Sequence, residues 1–143
     1  MAIHRIRGGK ILLTQARYIE DVMLKFGFNE CRGVKKPSPG GTVSKVDCFD
    51  GDPSKNPFVK RYRELCGVLR WIEQSTRPDI SATLSELCKV QCNPGEVHMK
   101  RLSHLMRYVS STRDMGILFG KDESRHGTGR HAFGPIVGYV DSD

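Results

Sequence analysis

The chain has 143 residues, 38% of them hydrophobic, with 23 Lys and Arg against 16 Asp and Glu, a formal net charge of +7. That length suits one domain or two small ones and can bury a core, and the composition is not that of a disordered chain. No apolar run approaches the ~20 residues of a membrane-spanning helix, and Met1-Ala2-Ile3-His4-Arg5 leads into mixed residues and not into the apolar core of a secretory signal. The reading is a soluble intracellular protein whose charge favours an acidic partner, nucleic acid above all. A basic surface that serves only solubility is the plainer alternative.

Residues 3–13 read as a hairpin, with Ile3-His4-Arg5-Ile6 and Lys10-Ile11-Leu12-Leu13 flanking Arg7-Gly8-Gly9. Paired glycines supply the positive φ of a tight turn. Thr14 is placed as an N-cap, and Ile19, Val22, Met23 and Phe26 recur at helical spacing, so a helix is expected over 15–26, closed by Gly27. Residues 29–57 hold Pro37, Pro39, Gly40, Gly41, Gly51, Pro53 and Pro57 and read as a long surface loop, a linker between two sub-structures.

Three amphipathic helices are expected next. The first carries Tyr62, Leu65, Cys66, Leu69 and Ile72 on one face. The second opens near Pro78 and carries Ile80, Leu84, Leu87 and Cys88. The third opens with a capping box in which Asn93 caps and Glu96 reaches back, and carries Leu102, Leu105, Met106 and Val109. The tail returns to strands at Gly116-Ile117-Leu118-Phe119 and Ile136-Val137-Gly138-Tyr139-Val140, and the chain stops directly afterwards at Asp141-Ser142-Asp143, as a truncated strand would. The fold class is α+β: an N-terminal β-hairpin, a bundle of about four helices, then C-terminal β-strands. The divisions are 1–28, 29–57, 58–113 and 114–143.

The five cysteines, Cys31, Cys48, Cys66, Cys88 and Cys92, are odd in number and argue against a disulfide framework. Cys88-x3-Cys92 with His98 and His104 echoes a zinc site, but only residues 93–97 separate the pairs, too few for a zinc finger. Cys66 and Cys88 fall on helix stripes, where cysteine acts as a small hydrophobe.

Several segments together carry a resemblance. Ile11-Leu12-Leu13-Thr14-Gln15 with Tyr18-Ile19, Lys25-Phe26-Gly27-Phe28, and Tyr62-Arg63 with Gly67, Leu69 and Trp71-Ile72 come in that order. Thr76-Arg77-Pro78-Asp79-Ile80 is the most specific piece. His98, Arg107-Tyr108-Val109, Thr112, Gly116-Ile117 and Gly138-Tyr139-Val140-Asp141-Ser142-Asp143 complete the series. Over nearly the whole chain this resembles the copia-type retrotransposon polyprotein, in the segment between the polymerase palm and RNase H. Met99 stands where that family usually has Trp, and Val68 and Arg70 replace smaller or apolar residues.

The resemblance implies a thumb and connection segment, with 1–28 a hairpin and first thumb helix, 58–113 the thumb and connection, and 114–143 the truncated start of an RNase H-like domain. It implies a reverse transcriptase/RNase H parent that would use magnesium, in cytoplasmic particles, the nucleus or a plant organelle copy. The Tyr-x-Asp-Asp sequence of the palm does not occur in this chain, and two-metal phosphoryl transfer needs such carboxylates. Asp141 would be the first RNase H carboxylate of an incomplete site. The expectation is therefore a chain that is not an enzyme on its own, without metal or cofactor. It would hold primer–template duplex, an RNA–DNA hybrid or duplex DNA, or pack on the rest of the polyprotein. Phosphate-contacting candidates are Arg17, Lys25, Lys60, Arg61, Arg63, Arg70, Lys100, Arg101 and Arg107. Arg77 could serve structure instead, through Asp79 or a helix end. The alternative is an inert remnant or a domesticated protein-interaction module.

Overall fold

In the computed structural model, which describes residues 1–120, Gly8 and Gly9 take φ of 83° and 72°. This left-handed pair closes strand β1 (Ala2–Ile6) against β2 (Lys10–Thr14), in the register Ile3 opposite Leu13. A third strand, β3 (Ile117–Phe119), adds to the other side of β2, antiparallel, with Ile117 opposite Leu13. The sheet order is β1-β2-β3. The strand expected at 136–140 and Asp141 lie outside the described residues.

Helix α1 (Ala16–Phe26) buries Ile19, Val22 and Met23 and ends at Gly27 with φ 76°. Its cap differs from the expected one. Pairing of Ala2 with Thr14 carries β2 through Thr14, and the buried Thr14 hydroxyl sits 3.2 Å from His4 Nε2. Gln15 becomes the cap residue without a side-chain cap bond, and its Oε1 accepts instead from Thr76 Oγ1 at 2.9 Å.

Helix α2 (Val59–Ser75) buries the expected stripe Tyr62, Leu65, Cys66, Leu69 and Ile72. Pro78–Ile80 forms a 3-10 turn, and α3 (Ser81–Cys88) follows with Leu84 and Leu87 buried and Cys88 half-buried. Helix α4 (Glu96–Ser111) buries Leu102, Leu105, Met106 and Val109, together with His98 and Tyr108. Its start corrects the expected capping box. Gly95 is the cap, because a Cβ there would run into the Asp47 carbonyl. His98 is the residue three positions on, and its Nδ1 accepts from Gly95 N–H at 3.0 Å. Asn93 is occupied elsewhere: its Nδ2 donates to the Phe49 carbonyl at 3.1 Å and its Oδ1 accepts from Asn56 Nδ2 at 2.7 Å. All four helices share one apolar core running from Ile19 to Val109. Fully burying each such side chain is worth about 1.5–3 kcal/mol.

Residues 29–57 contain no α-helix or strand, only 3-10 turns at Lys45–Asp47 and Pro53–Lys55. They run back along α4 as a strap, and α4 side chains donate to successive strap carbonyls. His98 Nε2 donates to Ser44 O at 2.9 Å, and Arg101 Nη1 to Gly40 O and Gly41 O at 3.1 and 3.2 Å. His104 Nε2 donates to Lys36 O at 3.0 Å, Arg107 Nε to Arg32 O at 2.7 Å, and Ser111 Oγ to Val34 O at 3.0 Å. Spacings of three or four place these five residues on one side of the helix. Without them the irregular backbone would leave carbonyls unpaired.

The corner between α2 and α3 is built on Arg77, which is 1% exposed. Its Nε and Nη2 grip the two Asp79 oxygens, each at 2.8 Å. Nη1 donates to the Thr112 carbonyl at 2.8 Å and Nη2 to Thr112 Oγ1 at 2.7 Å. The guanidinium also lies 5.4 Å from the Tyr108 ring centre, and Tyr108 Oη donates to Asp79 Oδ2 at 2.9 Å. Both structural roles considered for Arg77, the Asp79 pair and the helix end, are filled together. The Arg77 hydrogen bonds hold the Asp79 carboxyl below its ordinary value.

Loss of the Asp79 carboxylate takes an acceptor from the buried Arg77 guanidinium, and a buried charge short of a partner is destabilising, so Asp79→Asn should lower the urea midpoint. A depressed carboxylate stabilises the fold fully above its unfolded value of about 3.9, and that contribution is lost as pH falls from there through the folded value. The wild type should therefore lose more stability on acidification than Asp79→Asn, and parallel pH profiles would count against the pair. His98→Ala strips the partners from the Gly95 N–H and Ser44 carbonyl, at about 1–3 kcal/mol for buried groups. Trypsin should then cut the strap at Lys35 and Lys45 faster than in the wild type, and an unchanged rate would contradict the strap's anchoring.

Candidate nucleic-acid interface

The nine cations singled out from the sequence divide into two groups. Arg101 and Arg107 are turned onto strap carbonyls. Arg70 pairs with Glu73 at 3.2 Å, Lys100 with Glu96 at 2.8 Å, and Arg63 Nε donates to Gln91 O at 3.2 Å. Arg17 is exposed on α1. The structure brings together Lys25, Lys60 and Arg61.

These three line an open cleft of about 650 Å³ between the end of α1 and the start of α2. Glu64 is the one acid among its lining residues. Local sequence explains the placement. Lys25 lies in the last turn of α1, where a cation meets the free carbonyls favourably, and its Nζ rests 5.3 Å from the Phe26 ring centre. Arg61 Nη2 donates to the Phe26 carbonyl at 3.2 Å and ties the two helix ends together. Lys60 is exposed in the first turn of α2, which has no acidic residue. Three cations against one carboxylate give the cleft a positive field suited to phosphate oxygens.

From the cleft, α2 presents one further stripe to solvent. Lys60, Glu64, Gly67 and Trp71 follow at intervals of four, three and four, hence on one helical side. A Cβ at Gly67 would meet nothing within 4 Å, and Trp71 is 57% exposed. At 1.5 Å per residue the stripe runs about 16 Å from Lys60 to Trp71. In the sequence Trp71 stands out only as part of a motif. The available signal was its place off the apolar stripe of Tyr62, Leu65, Cys66, Leu69 and Ile72: a large aromatic on the polar side of a helix.

Other chemistry finds little among the described residues. No group of three or more His, Cys, Asp or Glu side chains is placed to hold a metal ion there, so the magnesium implied for the parent has no fitting site in them. Both His98 nitrogens are engaged with backbone, and His104 with the strap. Burial, then the neighbouring Cys88, pushes the Cys66 thiol up to about 12, which leaves it protonated at neutral pH. Burial likewise raises Tyr62, whose Oη donates to the Leu87 carbonyl at 2.9 Å. No helix among the described residues is long and apolar enough to cross a membrane.

The chain is similar to the retrovirus-related Pol polyprotein from transposon TNT 1-94 of Nicotiana tabacum, 28% identical over 137 residues, which cover 94% of this chain and 10% of that protein. It is similar to the retrovirus-related Pol polyprotein from transposon RE1 of Arabidopsis thaliana, 29% identical over 109 residues, covering 76% of this chain and 7% of that protein. These likenesses support a transposon-polyprotein origin. An uncharacterized mitochondrial protein of Arabidopsis thaliana is 27% identical over 112 residues, 78% of this chain and 44% of that protein. The chain thus spans a tenth or less of the two polyproteins and under half of the mitochondrial protein. No family model matches the chain, and no solved structure matches it.

Proposed function

We propose that this chain is the thumb and connection segment of a copia-type reverse transcriptase/RNase H polyprotein, and that it holds nucleic-acid duplex along the outer side of α2. The observation that carries the reading is the convergence of Lys25, Lys60 and Arg61 in one cleft at the head of that side. The cations take phosphates of one strand. Gly67 and Trp71 offer a flat, partly aromatic surface to the duplex further along, where sugar and base edges make contact without sequence preference. The cleft holds and does not cut: the chemistry of nucleotide addition and strand hydrolysis belongs to carboxylates of the parent enzyme outside the described residues, Asp141 being the first of the RNase H set by resemblance. The expected ligand is an RNA–DNA hybrid or duplex DNA, in cytoplasmic particles or the nucleus.

A second reading, a protein-interaction module, draws on the sheet. Ile3, Ile11 and Phe119 lie on one of its faces by register, 69%, 39% and 51% exposed. Such a face suits packing against the rest of a polyprotein.

Fluorescence anisotropy of a labelled RNA–DNA hybrid, titrated at several salt concentrations, separates the two. Affinity should fall steeply with salt. Lys60→Ala with Arg61→Ala should weaken binding and reduce the salt slope by about 2, and Trp71→Ala should weaken binding without changing that slope. Lys100→Ala with Arg107→Ala should leave the affinity near wild type. Absence of binding at low salt, or equal losses in both cation pairs, would overturn the assignment of α2 as the duplex-facing helix.

A further inference from the structure

We propose that Glu64 makes the cleft selective for an RNA strand: its carboxylate accepts a hydrogen bond from a ribose 2′-hydroxyl, so that the strand lying on α2 is the RNA strand of an RNA–DNA hybrid. The inference rests on the duplex-holding reading of α2 and adds which strand faces it.

Glu64 is the odd residue of the site. It lines the same cleft as Lys25, Lys60 and Arg61, and a carboxylate there works against phosphate binding. The ordinary role of such a group is to neutralise a neighbouring cation. Lys60 and Arg61 stand four and three residues before it on α2, the spacings at which helix side chains pair. Neither forms an ion pair with it among the described residues. Arg61 is turned the other way, onto the Phe26 carbonyl. The Glu64 side chain is exposed. An open acceptor inside a cationic cleft calls for a donor on the ligand.

A nucleic-acid backbone has one kind of donor to offer. Its phosphate oxygens and the sugar ring oxygen accept, and an ionised carboxylate only accepts as well. The 2′-hydroxyl of RNA donates, and DNA lacks it. Acidic side chains take ribose hydroxyls in the same way in dinucleotide sites. The spacing on the helix agrees. Lys60 and Glu64 share one side of α2 and lie about 6 Å apart along its axis, so a phosphate on Lys60 sets the adjoining ribose beside Glu64. Gly67 comes next on that side, and the space over it is open, so the strand can approach closely there. Against a DNA strand Glu64 meets only acceptors and repels them. Against an RNA strand it is paired. One residue thus favours the hybrid and disfavours duplex DNA, which is how selectivity is built from attraction and repulsion together.

The experiment measures fluorescence anisotropy of the purified chain with three labelled duplexes of one sequence at one salt concentration. These are an RNA–DNA hybrid, duplex DNA, and a hybrid whose RNA strand carries 2′-fluoro in place of the 2′-hydroxyl, which keeps the helix shape and removes the donor. The wild type should bind the RNA–DNA hybrid about fivefold more tightly than either of the others. Glu64→Ala should abolish that preference, chiefly by tightening the binding of duplex DNA. Glu64→Gln, which keeps an acceptor and drops the charge, should retain part of it. A preference that survives Glu64→Ala, or that extends to the 2′-fluoro hybrid, would overturn the role of Glu64. Equal affinity for all three duplexes, still weakened by Lys60→Ala with Arg61→Ala, would overturn it as well while leaving α2 as the duplex-facing helix. Absence of binding to any duplex at low salt would remove both.

Discussion

A buried guanidinium holds this fold together. Arg77 has no water to turn to, so every donor it points inward must find an acceptor. It finds Asp79 across the Pro78 turn and Thr112 at the end of α4, while its flat side lies over Tyr108. The residue before it, Thr76, reaches Gln15 at the head of α1. One short sequence, Thr76-Arg77-Pro78-Asp79, thereby fixes the corner between α2 and α3, the end of α4 and the start of α1. The apolar stripes could pack in several relative rotations. The Arg77 network admits few, because each alternative would strand a buried charge.

The orientation so imposed decides what the basic residues are free to do. With α4 set by Thr112 and Tyr108, one side of it faces the 29–57 segment, and the polar residues there are used to satisfy the carbonyls of an irregular strap. Arg101 and Arg107 are consumed by this backbone pairing. On α2 the situation is reversed. Its inner stripe is apolar, its outer side is open to solvent, and its first turn meets the last turn of α1. Of the nine cations, Lys25, Lys60 and Arg61 come together where two helix ends meet, and the proposed duplex surface begins there.

Much of this was legible in the sequence because it is periodic. The core stripes of α1, α2 and α4 follow from apolar residues at helical spacing, and the hairpin from Gly8-Gly9. The left-handed Gly27 that closes α1 was legible too, but the N-terminal caps were not. Thr14 has the right side chain, but strand pairing claimed it, and Asn93 and Glu96 have the right spacing, but the close approach of Asp47 moved the helix start to Gly95 and made His98 the reciprocal partner. Pairing of β3 with β2 joins residues far apart in sequence and has no local signal. The strap was seen only as proline- and glycine-rich chain, since its anchors are side chains on a helix more than fifty residues away. For the same reason the sequence names the nine cations without sorting them, and it shows Trp71 as a motif residue and not as surface.

The central claim is that nucleic-acid duplex lies along the outer side of α2. Nuclear magnetic resonance of the isotope-labelled chain, titrated with an RNA–DNA hybrid, tests it most directly. The account predicts that the backbone amides around Lys25, Lys60 and Arg61, the Gly67 amide and the Trp71 indole shift together and saturate together, while the amides of α4 and the strap stay in place. Shifts centred on α4 and the strap, or on the β1–β2 hairpin, with α2 silent, would contradict it.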